Sequence, residues 1–139
     1  MLTPEQNRLL TETGPGTPGG KLMRRYWQPI AKSNELPEGS PPIPIRILSE
    51  DLVLFRDDQG RVGLLGRQCT HRGTDLSYGR LENGGLRCLY HGWLYDIQGR
   101  CLDQPAEPDH SNLKCEAKHK AYPSKEVSGL IFTYMGEGE

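Results

Sequence analysis

The sequence predicts an all-β fold, either a sandwich or an open barrel. Short apolar runs recur at even spacing, and turn-forming residues separate them, since the 139 residues include 17 glycines and 11 prolines. Asn83-Gly84-Gly85 is a strong hairpin signal between two of these runs. A chain of this length builds one domain around one hydrophobic core.

The first 12 residues predict a short helix at the N-terminus. Thr3 can cap this helix, and Gln6 completes a capping box with it. Clusters of glycine and proline within residues 14–20 then end the helix and form an arm. We expect Tyr26 and Trp27 to anchor this arm on the core, because both side chains carry large apolar surfaces.

The remainder of the chain predicts short strands. Apolar runs with turn signals between them define these strands, and residues 103–120 predict a long polar loop. The predicted strands are residues 43–48, 51–56, 62–66, 78–82, 86–89, 92–96, 100–102, 122–127 and 130–135.

Charge and hydropathy exclude several classes of function. The 17 basic and 18 acidic residues give a net charge of −1, which lacks the basic excess that nucleic-acid binding needs. No run approaches the length of an apolar membrane span, and the N-terminus has no secretory signal pattern. We therefore expect no nucleic-acid or membrane partner and a cytoplasmic location, where the four cysteines stay reduced.

Two loops carry the residues that point to metal chemistry. Cys69 and His71 lie in the first loop, Cys88 and His91 lie in the second, and 16 residues separate His71 from Cys88. A mononuclear site does not explain why each loop supplies one thiolate and one imidazole. A two-iron, two-sulfide cluster does, with both thiolates on one iron and both imidazoles on the other. A structural zinc site is the alternative, although zinc spacing usually pairs cysteine with cysteine.

Residues beside these four have predicted supporting roles. Gly92 directly follows His91, and Gly73 lies two positions after His71; both allow tight turns. Trp93 is expected to pack over the cluster and shield it; the alternative hypothesis is that Trp93 relays electrons. Arg72 either holds the first loop through a salt bridge or favours an acidic docking partner. Cys101 is expected to be an ordinary residue rather than a ligand.

The pattern Cys-x-His-x16-Cys-x-x-His resembles that of the Rieske [2Fe–2S] family. Residues 69–73 and 88–93 are similar to the N-terminal domain of aromatic ring-hydroxylating oxygenase large subunits, particularly the phthalate type. Residues 25–29 and 129–136 share the same resemblance. It implies a Rieske fold, which is an antiparallel sandwich with a small cluster-binding subdomain, and one Rieske-type [2Fe–2S] cluster per chain.

The resemblance also shows departures near the predicted ligands. Respiratory Rieske proteins join their two loops by a disulfide, and Thr74 and Tyr90 occupy those positions here. A serine that donates a hydrogen bond to a sulfide is replaced by Trp93, whereas Tyr95 matches a tyrosine that can donate to a cysteine sulfur. With fewer donors to stabilise the reduced cluster, we expect a reduction potential in the lower part of the Rieske range, roughly −150 to 0 mV.

The predicted organisation is a helix and arm over residues 1–26, a Rieske domain over 27–136 with its cluster-binding loops at 68–95, and a tail at 137–139. We expect these residues not to include the family's catalytic domain, with its mononuclear iron. Besides the predicted ligands, the remaining histidines are His110 and His119, which are expected to be solvated loop residues. Cys115 is expected to be an ordinary residue.

The predicted function is one-electron transfer, as the electron-input domain of an aromatic ring-hydroxylating oxygenase. The expected partners are a donor reductase or ferredoxin and an acceptor oxygenase catalytic domain. A stand-alone Rieske ferredoxin that serves a separate oxygenase is the alternative, and a zinc-stabilised interaction module is the non-redox hypothesis. We predict no catalytic residue and no hydroxylation by this chain alone. The sequence does not indicate the aromatic substrate or the oligomeric state.

Overall fold

A computed structural model describes residues 1–108 and 118–137, and it confirms the all-β prediction. Two short helices precede strands that form three antiparallel sheets. The helices are α1 (Pro4–Thr11) and α2 (Pro18–Met23), and the strands are β1 (Gln28–Lys32), β2 (Ile43–Ile47), β3 (Glu50–Arg56), β4 (Val62–Gly66), β5 (Arg80–Glu82), β6 (Gly85–Arg87), β7 (Leu94–Tyr95), β8 (Cys101–Asp103), β9 (Ala121–Tyr122), β10 (Ser124–Val127) and β11 (Leu130–Thr133).

The three sheets place the two candidate loops side by side. Their strand orders are β1-β11-β10, β2-β3-β4-β9 and β5-β6-β7-β8. The first loop leaves the end of β4 and leads into the third sheet, and the second loop joins β6 to β7 within that sheet. The hairpin predicted around Asn83-Gly84 is confirmed, with Leu81 opposite Leu86.

One predicted strand divides at a proline. Residues 122–127 were predicted to be continuous, but Pro123 separates β9 from β10. Proline has no N–H to give to a sheet, so a strand interior does not accommodate it. The two halves therefore join different sheets, where Tyr122 pairs with Leu64 and Ser124 pairs with Thr133.

The central strand β3 separates two hydrophobic cores. Alternate residues of a strand point to opposite faces. Val53 and Phe55 accordingly pack with Cys69, Cys88 and the residues around them. On the other face, neighbouring β3 residues pack against β11, the middle strand of the first sheet. The members of this second core are Leu36, Leu52, Leu54, Leu64, Ile131 and Met135.

The N-terminal arm differs from its prediction in two ways. Thr17 caps a second helix at Pro18, because proline is favourable in the first turn of a helix. Neither predicted anchor reaches the core: Tyr26 is 63% exposed, and Trp27, 40% exposed, packs at the surface against the ring of Tyr134. The buried anchor of the arm is Arg24.

The anchor is a set of polar contacts made by one buried guanidinium. Arg24 donates to the carbonyl oxygens of Thr13 and Leu48 at 2.7 and 3.0 Å, and to the Glu50 carboxylate at 2.8 Å. Glu50 also accepts a hydrogen bond from Lys120. Burial raises the pKa of Glu50, but the bonds from its donors outweigh that effect and lower it overall.

In the part of the chain that the structure describes, no helix is long and apolar enough to cross a membrane. The predictions for His110 and Cys115, and most of the predicted loop at 103–120, lie outside the described residues.

Candidate metal centre

The first loop is a tight backbone turn between Cys69 and Thr74. The Cys69 N–H donates to the carbonyl oxygen of Thr74 at 2.8 Å, and the Gly73 N–H donates back to the Cys69 carbonyl oxygen at 2.7 Å. Gly73 has a φ of 74°, in the left-handed region that glycine adopts without steric cost. The turn therefore projects the side chain of His71 from the tip of the loop.

The second loop closes in the same manner. The Cys88 N–H donates to the Trp93 carbonyl oxygen at 2.8 Å. His91 and Gly92 both lie in the left-handed region, with φ of 66° and 73°. A non-glycine residue there costs of order 1 kcal/mol, so the surrounding contacts must hold His91 in place.

Among the four predicted ligands, the two cysteines lie in the interior and the two histidines lie nearer the surface. Cys69 and Cys88 are 3% and 2% exposed and belong to the same core. His71 is half-buried and His91 is exposed, and their ring centroids lie 5.2 Å apart with the rings nearly perpendicular. The arrangement thus offers two sulfurs in the interior and two imidazoles nearer the surface.

Burial and the neighbouring sulfur disfavour a free thiolate at this place. Desolvation, followed by the Cys69 sulfur, raises the pKa of Cys88 to about 11. The protein on its own therefore keeps the Cys88 thiol protonated at neutral pH. A bound metal ion would deprotonate such a thiol outright, because the ion supplies the missing positive charge.

Aromatic rings enclose the two imidazoles. Trp93 is buried and stacks on His71, with centroids 4.4 Å apart and an interplanar angle of 11°. Tyr90, which is half-exposed, meets His91 edge-on at 4.1 Å. Two buried nitrogens here, Nδ1 of His71 and Nε1 of Trp93, have no hydrogen-bond partner among the described residues. A buried nitrogen without a partner is costly unless some further group occupies the space beside it.

Tyr95 makes a polar contact with one of the predicted sulfur ligands. Its hydroxyl lies 3.2 Å from Sγ of Cys69, and its side chain is fully buried. Burial, followed by the hydrogen bond with Cys69, raises the pKa of Tyr95 well above its ordinary value. Tyr95 therefore remains a neutral phenol whose O–H can donate a hydrogen bond to a sulfur acceptor.

Arg87 fixes the second loop, and the sequence reasoning missed it. Its guanidinium donates to the Gly92 carbonyl oxygen at 2.5 Å and to Asp103 at 3.0 Å, and it also pairs with Glu82. The residue directly precedes Cys88, so its side chain reaches across the loop that follows. Its position next to a predicted ligand was the signal available in the sequence.

His119 is a second residue that the sequence reasoning missed. The prediction that it is solvated is wrong, since it is 4% exposed. Desolvation lowers its pKa, so the ring is neutral at pH 7. Its partners come from Gly66 and Thr70, some 50 positions earlier, and local polarity cannot reveal such contacts.

Arg72 lies on the surface of the first loop. It is exposed, and it forms no ion pair with any residue in 1–108 or 118–137. The docking interpretation of Arg72 stays a prediction.

Comparison with known proteins places the chain among iron–sulfur proteins. The family model described as the Rieske [2Fe-2S] domain matches residues 26–123. The oxygenase subunit of a tert-butanol monooxygenase / tert-amyl alcohol desaturase from Aquincola tertiaricarbonis is 50% identical over 133 residues, which cover 96% of this chain and 28% of the relative. The oxygenase subunit of phthalate 4,5-dioxygenase from Pseudomonas putida is 46% identical over 138 residues, covering 98% and 32%.

Solved structures agree with this placement. The crystal structure of apo dicamba monooxygenase superposes with a TM-score of 0.73 at 33% identity, over 82% of this chain and 34% of that one. The reduced complex between oxygenase and ferredoxin in carbazole 1,9a-dioxygenase gives a TM-score of 0.70 at 32% identity, over 82% and 29%. The chain thus spans about a third or less of the length of these similar proteins.

Proposed function

Because this chain belongs to the Rieske [2Fe–2S] domain family, we propose that it is the electron-input domain of a Rieske oxygenase. The similar oxygenase subunits support this role, since nearly all of this chain matches a part of each of them. They favour the input domain over a stand-alone ferredoxin. When bound, the family's [2Fe–2S] cluster supplies a reversible one-electron change.

The residues present fit such a cluster, and the division of donors between interior and tips is the observation that carries the proposal. Cys69 and Cys88 would hold one iron, and His71 and His91 would hold the other. The unpartnered buried nitrogens of His71 and Trp93 mark the space where a further group is needed. A chelating group that neutralises both thiolates also removes the cost of their burial.

The protein's own side chains would control access to this site. The exposed ring of His91 lets a partner approach the imidazole side, whereas Trp93 covers the His71 ring and excludes water there. Tyr95 would donate a hydrogen bond to Cys69, which favours the reduced, more negative state. We propose the same supporting roles for Gly73 and Gly92 as turn residues, and for Arg72 and Tyr90 as loop-surface residues.

The proposed partners are a reductase or ferredoxin as donor and an oxygenase catalytic domain as acceptor. The structural likeness to the reduced complex between oxygenase and ferredoxin in carbazole 1,9a-dioxygenase supports this choice of donor. We extend the proposal to a cytoplasmic location, because cysteines used as metal ligands need a reducing compartment. The domain limits predicted from the sequence, 1–26 for the arm and 27–136 for the Rieske domain, stay predictions.

Anaerobic reconstitution with iron and sulfide tests the proposal. We expect two irons and two sulfides per chain, and an electron paramagnetic resonance spectrum of the reduced protein with the low average g value of Rieske clusters. Single replacements C69S, C88S, H71A and H91A should each abolish that spectrum. The matched control is C101A, which removes a buried cysteine from the same core and should leave the spectrum intact. A wild-type protein that binds stoichiometric zinc and stays colourless with iron and sulfide would contradict the proposal.

A further inference from the structure

The buried ring of His119 joins three separate segments near the first loop. Its Nε2 lies 2.6 Å from the carbonyl oxygen of Gly66, at the end of β4. Its Nδ1 lies 2.5 Å from the hydroxyl of Thr70. One face of the ring packs against Tyr95, with centroids 4.7 Å apart. Thr70 stands between Cys69 and His71, which are two of the four proposed ligands.

The backbone around His119 fixes its ring in this place. The His119 N–H donates to the Gly99 carbonyl oxygen at 2.8 Å, and the neighbouring Lys120 carbonyl accepts from the Gly66 N–H at 2.9 Å. Gly99 has a φ of 80°, and a side chain there would clash with the His119 carbonyl oxygen. Backbone hydrogen bonds to Gly99 and to Gly66 therefore hold this segment independently of the contacts that the His119 ring makes.

These contacts determine the tautomer of His119. The Gly66 carbonyl oxygen can only accept, so Nε2 must carry the proton. A neutral ring then has a bare Nδ1, which accepts the hydroxyl proton of Thr70. The hydrogen bonds thus run in one direction, from Thr70 to His119 and from His119 to Gly66, and they connect the ligand loop to the end of strand β4.

We infer that His119 is a positioning residue for the cluster: by holding Thr70, it fixes the loop that carries Cys69 against Tyr95 and thereby sets the hydrogen bond from Tyr95 to Cys69 and the reduction potential. It touches no proposed ligand atom itself. The inference rests on the proposed function, because it presupposes a cluster held by Cys69. Nothing in it requires His119 to change its protonation state.

Two substitutions each remove one of the two hydrogen bonds of the His119 ring and keep the other. The oxygen of His119→Asn can take the place of Nδ1 and still accept from Thr70, whereas the amide of His119→Gln can take the place of Nε2 and still donate to Gly66. Each variant loses one buried hydrogen bond, so we expect similar losses of unfolding free energy. Only H119Q releases Thr70, and T70V, which removes the hydroxyl at nearly constant shape, should behave like it.

Reduction potentials of the reconstituted chain, with Y95F as the reference, provide the test. We expect H119Q and T70V each to lower the potential by at least a third of the Y95F shift, and H119N to lower it by less than a tenth. In the Y95F background, H119Q should add nothing, because its effect passes through the same hydrogen bond. T70V keeps the test usable if an imidazole replacement does not fold.

Three results would overturn the inference. One is a potential that follows stability, so that H119N and H119Q shift it equally. Another is an H119Q shift that persists in full beside Y95F. The third is an unchanged potential in both H119Q and T70V. If Y95F itself leaves the potential unmoved, or the wild-type spectrum is not that of a Rieske cluster, the proposed ligand arrangement fails first and the role of His119 fails with it.

Discussion

A ring stack covers one proposed ligand. Trp93 is 3% exposed, and its ring lies nearly parallel to that of His71 with the centroids 4.4 Å apart. The stack therefore removes the large apolar surface of Trp93 and one face of the imidazole from water. Burial of a tryptophan of this size contributes several kcal/mol to folding. Trp93 therefore contributes to folding and to shielding at the same place.

Replacing Trp93 should separate these contributions. We expect W93A to lower the free energy of unfolding by about 3 kcal/mol, since it leaves a large cavity, and W93F to lower it by about half as much. Iron release from the reconstituted protein to a chelator should accelerate at least tenfold in W93A and less than threefold in W93F. Denaturant titration and the chelator assay measure the two quantities. Equal release rates in W93A and wild type would show that Trp93 does not shield the site.

Asp75 gives a pH-dependent contribution at the base of the first loop. It pairs with Arg67 at 2.9 Å and accepts from the Ser77 N–H at 2.9 Å. The hydrogen bond from Arg67 lowers the pKa of Asp75 from 3.8 to about 2. Because the folded-state pKa is the lower one, this stabilisation is complete above pH 4 and is lost as the pH falls towards 2.

The substitution D75N tests that contribution. At pH 7 we expect the variant to lose about 1 kcal/mol of unfolding free energy, a value that allows for the partial exposure of the pair. The difference between variant and wild type should shrink below pH 4 and vanish only as the pH falls through 2. D51N is the control, because Asp51 and Arg46 form an ion pair that is largely exposed on both sides, which should contribute little at any pH. A D75N deficit that is constant with pH would exclude the ion pair as its cause.

Individual residues also show where sequence reasoning succeeds. The four proposed ligands stand out because their types and spacing lie within two short segments, and Tyr95 follows from the same resemblance. His119 does not, because its contacts depend on a segment that folds back onto Gly66 and Gly99. The residues next to His119 in the sequence do not indicate that the segment folds back in this way.

At the scale of elements, the third sheet and its clamp hold the second loop. Arg87 ends β6, and its side chain, 11% exposed, bridges Glu82 of β5 and Asp103 of β8 while it binds the Gly92 carbonyl oxygen. One planar guanidinium thus joins both outer strands of the sheet to the turn that carries His91. A lysine ammonium has no such fork and cannot satisfy the three acceptors together.

We therefore expect R87K to lower the free energy of unfolding by about 2 kcal/mol, since two carboxylates and a carbonyl lose a partner. The electron paramagnetic resonance signal of the reconstituted, reduced variant should broaden as His91 becomes less ordered. R80K is the matched control, because Arg80 is 66% exposed and its guanidinium lies as far as 4.0 Å from the same Glu82. This substitution should change neither the stability nor the spectrum. If R87K matched R80K in stability and line shape, the clamp would have no role.

The elements that the sequence predicted well are those set by neighbouring residues. The hairpin at Asn83-Gly84 depends on two residues that adopt positive φ, of 51° and 80°, and both are visible in the sequence. Strand β1 was missed because its hydrogen bonds come from β11, about 100 residues later, where Lys32 pairs with Leu130. Helix α2 was missed because Pro18 was interpreted as a helix breaker rather than as its first residue.

On the scale of the whole molecule, strands β3 and β4 divide the interior into a core that carries the proposed ligands and a core that does not. Leu64 and Leu65 are adjacent on β4 and fully buried, but Leu65 packs with Cys69, Cys88 and Trp93, whereas Leu64 faces the second core. The same substitution at these two positions therefore removes the same side chain from opposite faces of one strand.

Both L64A and L65A should lower the free energy of unfolding by about 3 kcal/mol, through lost burial and the cavity that remains. Their effects on the reconstituted site should differ, because local opening of the ligand core does not require unfolding of the other core. We expect iron release to a chelator at neutral pH to accelerate at least fivefold in L65A and less than twofold in L64A. Release rates that followed global stability alone, and so rose equally in both variants, would show that the two cores open as one unit.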